Sequence, residues 1–312
     1  MFDFPYLLHV AAHENLFYFL LVLAMIFWGV SWVNVKILSS YINEYELIFL
    51  RMGISFISMI PILYFFKLSF KIDFKALFLI LLASVVLVVY SISFFLGVEH
   101  GMAGFGGALV TTLIPINTFI ILAIINRKTI SLKHSFALIL GGFGVLTILN
   151  VWNFDLNEIF SKDNIYFLIA SILWPILTII SSKAVKTNPL VFTFYVYVIS
   201  TFIIYQFFID NSLFNRTYSF DFIFWLNIFV ISILSTTFAT SVYFVGIAKL
   251  GTNEVSSFIF LVPSSALILS AIFLDEEITY NTILGTICTI TAIYILNNLN
   301  ILRILEVLKI KK

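Results

Sequence analysis

Residues 27–36 read FWGVSWVNVK, and residues 173–183 read LWPILTIISSK. In each, an aromatic or leucyl residue and a tryptophan precede a helix-perturbing Gly29 or Pro175, and a lysine closes the run (Lys36, Lys183). A second pair repeats at matching distance: Leu113-Ile114-Pro115 running to Ile130-Ser131, and Leu261-Val262-Pro263 running to Ile278-Thr279. The chain therefore carries one pattern twice, each copy filling half of it. If each copy holds an odd number of membrane helices, the second must enter the bilayer with reversed orientation.

Composition puts the chain in lipid. Of 312 residues, 62% are hydrophobic, 18% aromatic and only 11% charged, against the roughly quarter-charged mix of a soluble domain. A spanning helix needs about 20 apolar residues. Ten such segments are read at 16–38, 47–66, 76–98, 102–125, 136–151, 165–185, 190–209, 222–248, 255–274 and 282–299. The runs are too long for barrel strands and lack their period-2 alternation. The expected fold is an all-α integral membrane protein, ten helices arranged as two inverted five-helix repeats over 1–152 and 153–312. Cys288 is the single cysteine, so no intramolecular disulfide and no cysteine-based metal site is expected. The segment 1–15 lacks a basic n-region before a run long enough to span, which argues against a cleaved signal peptide. A net charge of +1 argues against a nucleic-acid partner.

Loop charges alternate. Lys67, Lys71 and Lys75 follow the second segment, Arg127, Lys128 and Lys133 the fourth, Lys183 and Lys186 the sixth, Lys249 the eighth, and Arg303, Lys309, Lys311 and Lys312 the tenth. The intervening loops are acidic (Glu44, Glu46, Glu99, Asp155, Glu158, Asp163, Asp210, Asp221, Asp275, Glu276, Glu277), with Lys162 and Arg216 as basic exceptions. The positive-inside rule then predicts both termini in the cytoplasm of an inner-membrane protein. Aligning Pro115 with Pro263 sets Lys128 opposite Glu276, as expected if that loop faces opposite compartments in the two copies.

These residues, in this order, resemble the EamA family of the drug/metabolite transporter superfamily. The resemblance is carried by Phe27-Trp28-Gly29 with Lys36, by Leu50-Arg51, Pro115 and Gly144-Val145, and by Leu261-Val262-Pro263 leading to Glu276. It departs from the family at Lys128, where an acid is common, and at Arg51, whose counterpart in the second copy is Tyr195 or Tyr197. The resemblance implies a ten-helix carrier of a small-molecule substrate, and it names neither substrate nor coupling ion.

Inverted-repeat carriers bind substrate near the midplane, where the repeats meet. Trp28 and Trp174 fall near midhelix, although tryptophan prefers the membrane interfaces, and are expected to flank a cavity with Trp32, Tyr90 and Tyr243. Packing against a neighbouring carbonyl is the alternative. Pro115 and Pro263 break a backbone bond one turn back and are candidate hinges or cavity bends. Gly104, Gly106, Gly107 and Ala108 read as close-packing residues. Tyr90, Ser93 and Gly97 share one helix face, and Thr236, Thr240 and Tyr243 another. With Thr111, Asn117, Ser256 and Ser264 they offer hydroxyls and an amide to a polar solute, although such groups commonly bond their own backbone. Lys36 and Arg51 are candidate gate or charge residues, with pairing of Arg51 to Glu46 or Glu44 as the rival. No segment centres an Asp or Glu, which disfavours proton-coupled export of lipophilic cations.

Nothing resembles a catalytic motif, a phosphate-cradling loop or a metal site, and His9, His13, His100 and His134 are dispersed. No enzyme activity and no cofactor is expected. The sequence points to a secondary transporter of a small neutral, zwitterionic or amphipathic metabolite, with export the commoner direction among look-alikes. A nucleotide-sugar or phosphometabolite exchanger is the alternative within transport. A membrane-embedded enzyme or sensor is the alternative from another class.

Overall fold

The computed structural model describes residues 14–100, 103–148, 150, 165–210, 212–265 and 279–297. Among them no strand occurs, and eight helices are long and apolar enough to cross a membrane. The segment expected at 136–151 forms the shorter apolar helix Leu132–Ile148, and the one expected at 255–274 is described only as far as residue 265. The Asp155, Glu158 and Asp163 segment, the Asp275-Glu276-Glu277 turn, the tail from Arg303 and the side chains of Gly104, Gly106, Gly107 and Ala108 lie outside the described residues.

The helices, in chain order, are α1 (Glu14–Leu38), α2 (Glu44–Phe65), α3 (Phe74–His100), α4 (Ala103–Asn126), α5 (Leu132–Ile148), α6 (Ile165–Ser182), α7 (Pro189–Phe208), α8 (Phe222–Leu250), α9 (Thr252–Ser257) and α10 (Tyr280–Asn297). Their outer faces are apolar: Phe19, Phe78, Ile124, Phe136, Ile139 and Phe202 are all exposed. In water such a surface would be an aggregation liability; in a bilayer it is the solvent-matched face. Inside, α1 packs on the middle of α8, α3 on α6, α2 on α7 and α8, α3 on α7, α4 on α6, and α5 on α10.

Local chemistry explains the departures from regular helix. Asn43 starts α2 with a capping box, its Oδ1 accepting from Glu46 N at 3.0 Å while its own N–H donates to Glu46 Oε2 at 3.2 Å. Gly251, at φ 94°, is the single residue between α8 and α9, a left-handed turn that a side chain would strain. Pro263 cannot donate to the Ile259 carbonyl, and the preceding turn tightens to a 3-10 helix at Phe258–Phe260. Helix α8 does the opposite, widening to π-helix over Val230–Thr240. There Thr236, Thr237 and Thr240 each donate a hydroxyl to the carbonyl five residues back, at 2.7, 3.0 and 3.3 Å. Thr236, Thr240 and Tyr243 are all buried, and Thr236 and Thr240 both meet the Tyr197 hydroxyl.

Candidate functional site

A cavity of about 50 Å³ lies where α1, α2, α3, α4, α6 and the start of the ninth segment meet. Trp28, Trp32, Tyr90, Phe94 and Trp174 form its aromatic walls. Val110, Thr111 and Ile114 line it from α4, Ile259 and Val262 from the ninth segment, and Ser31 and Arg51 add polar groups. Residues 111 and 114 precede Pro115 as 259 and 262 precede Pro263, so corresponding turns of the two halves build opposite walls. Each proline sits four residues beyond a lining residue, Thr111 or Ile259, whose carbonyl it cannot bond.

The rings interlock. Trp28 and Trp174 meet edge to face with centroids 5.1 Å apart, and Tyr90 lies 4.8 Å from Trp174. Tyr243 is fully buried behind them, 5.0 Å from Trp28, and its hydroxyl is 3.1 Å from Thr178 Oγ1. It backs the walls without lining the cavity.

The two tryptophans differ in their polar ends. Trp28 Nε1 donates to the Ser235 carbonyl at 3.0 Å, and Ser235 Oγ donates back to the Phe27 carbonyl at 2.6 Å. Thus the indole N–H of Trp28 is committed to packing α1 on α8. Trp174, only 6% exposed, has an Nε1 that makes no hydrogen bond of ordinary geometry; the Tyr243 phenol is its electrostatic neighbour.

Arg51 does not pair with Glu46 or Glu44. Glu46, at the third position of α2, is turned toward its cap and the Arg216 guanidinium, while Arg51, five residues on, faces roughly 140° away around the helix. Arg51 Nε donates instead to Thr236 Oγ1 at 2.6 Å, and that hydroxyl donates to the Ile231 carbonyl. The π-helical stretch thus serves as an acceptor rail: its Ser232, Ser235 and Thr236 carbonyls take donors from Ser55, Trp28 and Tyr197 respectively.

Of the residues expected from sequence, Trp28, Trp32, Tyr90, Thr111, Trp174 and Arg51 come together at the cavity. Ser93, Thr240 and Ser256 are buried outside its lining; Thr240 bonds the Ser235 carbonyl, and Ser256 Oγ donates to the Asn253 carbonyl at 3.1 Å. Asn117 Nδ2 donates to the Ser171 carbonyl at 3.0 Å, joining α4 to α6, and Ser264 is buried away from the lining. Lys36 is exposed in the last turn of α1 and does not reach the cavity.

Polar contacts join the two halves at both ends of the bundle. A vestibule of about 310 Å³ opens between the end of α1, the start of α2 and the end of α3, lined by Tyr41, Glu46, Phe95, Val98, Glu99 and Arg216 among others. Trp32 and Phe94, 4.5 Å apart, lie one turn inward of its Val35 and Val98 walls. At the opposite end of α1 the Tyr18 hydroxyl donates to the Glu254 carboxylate of α9, beside Asn297 Nδ2 donating to Ser257 Oγ at 3.0 Å.

This fold and central cavity define a polytopic, all-helical membrane protein. The chain matches the EamA-like transporter family over residues 15–150 and again over 162–298, and it belongs to that family. A solved crystal structure of a protein, 12% identical, superposes with a TM-score of 0.69 over 89% of this chain and 94% of that one, a likeness of fold. No curated protein matches the chain.

Proposed function

We propose that this protein is a secondary transporter that moves a small zwitterionic or amphipathic metabolite by alternating access. Its two five-helix repeats, 1–152 and 153–312, are inverted with respect to one another, with both termini cytoplasmic and export across an inner membrane as the direction. The observation that carries the reading is the cavity itself, whose walls come from matched positions of the two halves: Trp28 with Trp174, Thr111 with Ile259, Ile114 with Val262. Helix contacts support it, since exchanging the halves turns α1 on α8 into α6 on α3, and α2 on α8 into α7 on α3. The cross-half pairs Glu46–Arg216 and Tyr18–Glu254 supply a closure at each end.

Phosphometabolite exchange would require a second cation in the cavity, and among the described residues Arg51 is the lysine or arginine that lines it. The test is a solute screen by counterflow in proteoliposomes carrying the full-length protein. Saturable exchange of small amphipathic solutes is expected, together with poor transport of quaternary ammonium dyes. Protonophore-sensitive efflux of ethidium by the purified protein would overturn the substrate assignment.

A further inference from the structure

Arg51 brings a permanent positive charge to a membrane-embedded cavity, and a guanidinium cannot shed its proton there. Its Nε is taken by Thr236 Oγ1. The two Nη groups have no hydrogen-bond partner, and no described Asp or Glu lies within ion-pair distance of the residue. Glu46, the acid nearest along α2, is held by Arg216 and by its own cap. Charges inside membranes otherwise occur paired, because the alternative is a desolvated ion in a low dielectric.

Trp174 belongs to the same wall. Its indole is 6% exposed, with Nε1 enclosed beside the Tyr243 phenol behind the wall, so it presents a ring rather than a donor to the cavity. The remaining lining is aromatic or aliphatic apart from the Ser31 and Thr111 hydroxyls, and Ser31 Oγ already donates to the Trp28 carbonyl at 2.6 Å. The cavity thus offers one fixed cation with two spare donors, and flat apolar walls.

The complementary ligand carries a single negative charge on two coplanar oxygens and a flat apolar body. We propose that Arg51 is the receptor for the carboxylate of a small aromatic monocarboxylate, with the Trp28, Tyr90 and Trp174 rings holding its body. A carboxylate matches the guanidinium fork in geometry. A dianionic phosphate would leave half its charge unmatched, since Lys36 stays at the exposed end of α1. Thr236 fixes the direction of the fork by holding Nε from the opposite half of the protein. The proposal rests on the transport reading for its physiological sense, but binding is measurable without it. An inorganic anion such as chloride offers the same charge without the ring, and the test separates the two.

Full-length protein in detergent is titrated with sodium 3-phenylpropionate, with the uncharged 3-phenylpropionamide and with sodium chloride at matched ionic strength. Tryptophan fluorescence and the shift in Tm serve as readouts. Saturable binding of the acid is expected, with the amide at least about tenfold weaker. Arg51→Gln should weaken the acid by roughly 10- to 100-fold, the range of a hydrogen bond to a charged group, and leave the amide unchanged. Arg51→Lys, which keeps charge without the fork, should fall between. Trp174→Phe should weaken the acid severalfold. Equal binding of acid and amide by the unaltered protein would overturn the proposal, as would chloride displacing the acid at equal concentration while reproducing its Tm shift. The acid-to-amide comparison and Arg51→Lys keep the test decisive should Arg51→Gln not fold. Arg51-dependent acid binding without any solute movement in proteoliposomes would uphold this site and reject transport; solute exchange indifferent to the carboxylate would do the reverse.

Discussion

Arg51 and Tyr197, separated by the same interval as Trp28 and Trp174, converge on one residue of the π-helical stretch. Arg51 Nε donates to Thr236 Oγ1 at 2.6 Å, and the Tyr197 hydroxyl donates to the Thr236 carbonyl at 3.2 Å. An arginine in one half and a tyrosine in the other thus grip the same turn of α8. The cavity matches Trp28 with Trp174 and Ile114 with Val262 across the halves, and takes its charge from one half alone.

Thr236→Val keeps the volume of the side chain and removes the acceptor of Arg51 Nε. A buried charged donor left unmet costs about 1.5–3 kcal/mol. The variant should show a lower Tm by scanning fluorimetry, and Thr236→Ser, which restores the oxygen, should return close to the parent. Equal Tm for Val and parent would mean that Arg51 finds another acceptor at no cost.

The tryptophans should respond differently to the same change. Trp28→Phe deletes the bond to the Ser235 carbonyl and should cost about 1 kcal/mol of stability, the usual net worth of a hydrogen bond. Trp174→Phe deletes a donor that makes no such bond, so stability should hold while solute transport changes. Thermal melts and counterflow on both variants measure the contrast, and identical melts would erase it.

Much of this was legible in the sequence. The repeats put Trp28 opposite Trp174 and Pro115 opposite Pro263, and the residues one turn before each proline line the cavity. A hydrophobic pattern cannot report where α8 leaves α-helical winding, so the acceptor role of Ser232, Ser235 and Thr236 was not readable, although the hydroxyl-rich run 232–240 is its signal. Nor could spacing show that Glu46 is spent on its cap and on Arg216, a residue 170 positions away, which is why Arg51 looked pairable with it. The apolar lining residues Phe94, Val110, Ile114, Ile259 and Val262 carry no chemistry that marks them in a membrane helix; only register against the prolines does.

Helices α5 and α10 approach through glycine. A Cβ on Gly285 would fall 2.4 Å from the Gly144 carbonyl oxygen, and one on Gly144 would fall 2.8 Å from the Gly285 carbonyl oxygen. Backbone cannot yield as a flexible side chain does, so Gly285→Ala should cost at least the 1–3 kcal/mol typical of overpacking. It should reduce yield and Tm. Gly53→Ala is the control, because its Cβ would meet Thr201 Cγ2 at 3.7 Å, an ordinary contact.

The Glu46–Arg216 pair should govern access to the vestibule. Glu46 is buried but Arg216 is 45% exposed, so Arg216→Gln leaves a carboxylate short of one partner and should destabilise by about 1–2 kcal/mol after solvent screening. Removing both charges with Glu46→Gln and Arg216→Gln should recover part of the loss, the signature of coupling in a double-mutant cycle. In a Cys288→Ser background, a cysteine introduced by Val98→Cys at a buried position of the vestibule wall should react faster with a maleimide in either single variant than beside the intact pair. Unchanged labelling would make the pair a stabilising contact without a gating role.

The proposed inversion of the repeats makes a prediction that no mutation of the cavity can address. Lys128 and Glu276, 148 positions apart like Pro115 and Pro263, correspond in the repeated pattern and carry opposite charge. If each repeat contributes five spans, the two positions must face opposite sides of the membrane, with the basic one in the cytoplasm. Reporter fusions truncated after Lys128 and after Glu277 should therefore read opposite compartments: a cytoplasmically active reporter should work only at the first and an externally active one only at the second. Replacing Arg127 and Lys128 with Gln should weaken that preference without touching the cavity, because the topogenic signal is the local lysine and arginine count. Both fusions reporting the same side would require an even number of spans between them, and the two halves would then be parallel, which removes alternating access by exchange of inverted repeats.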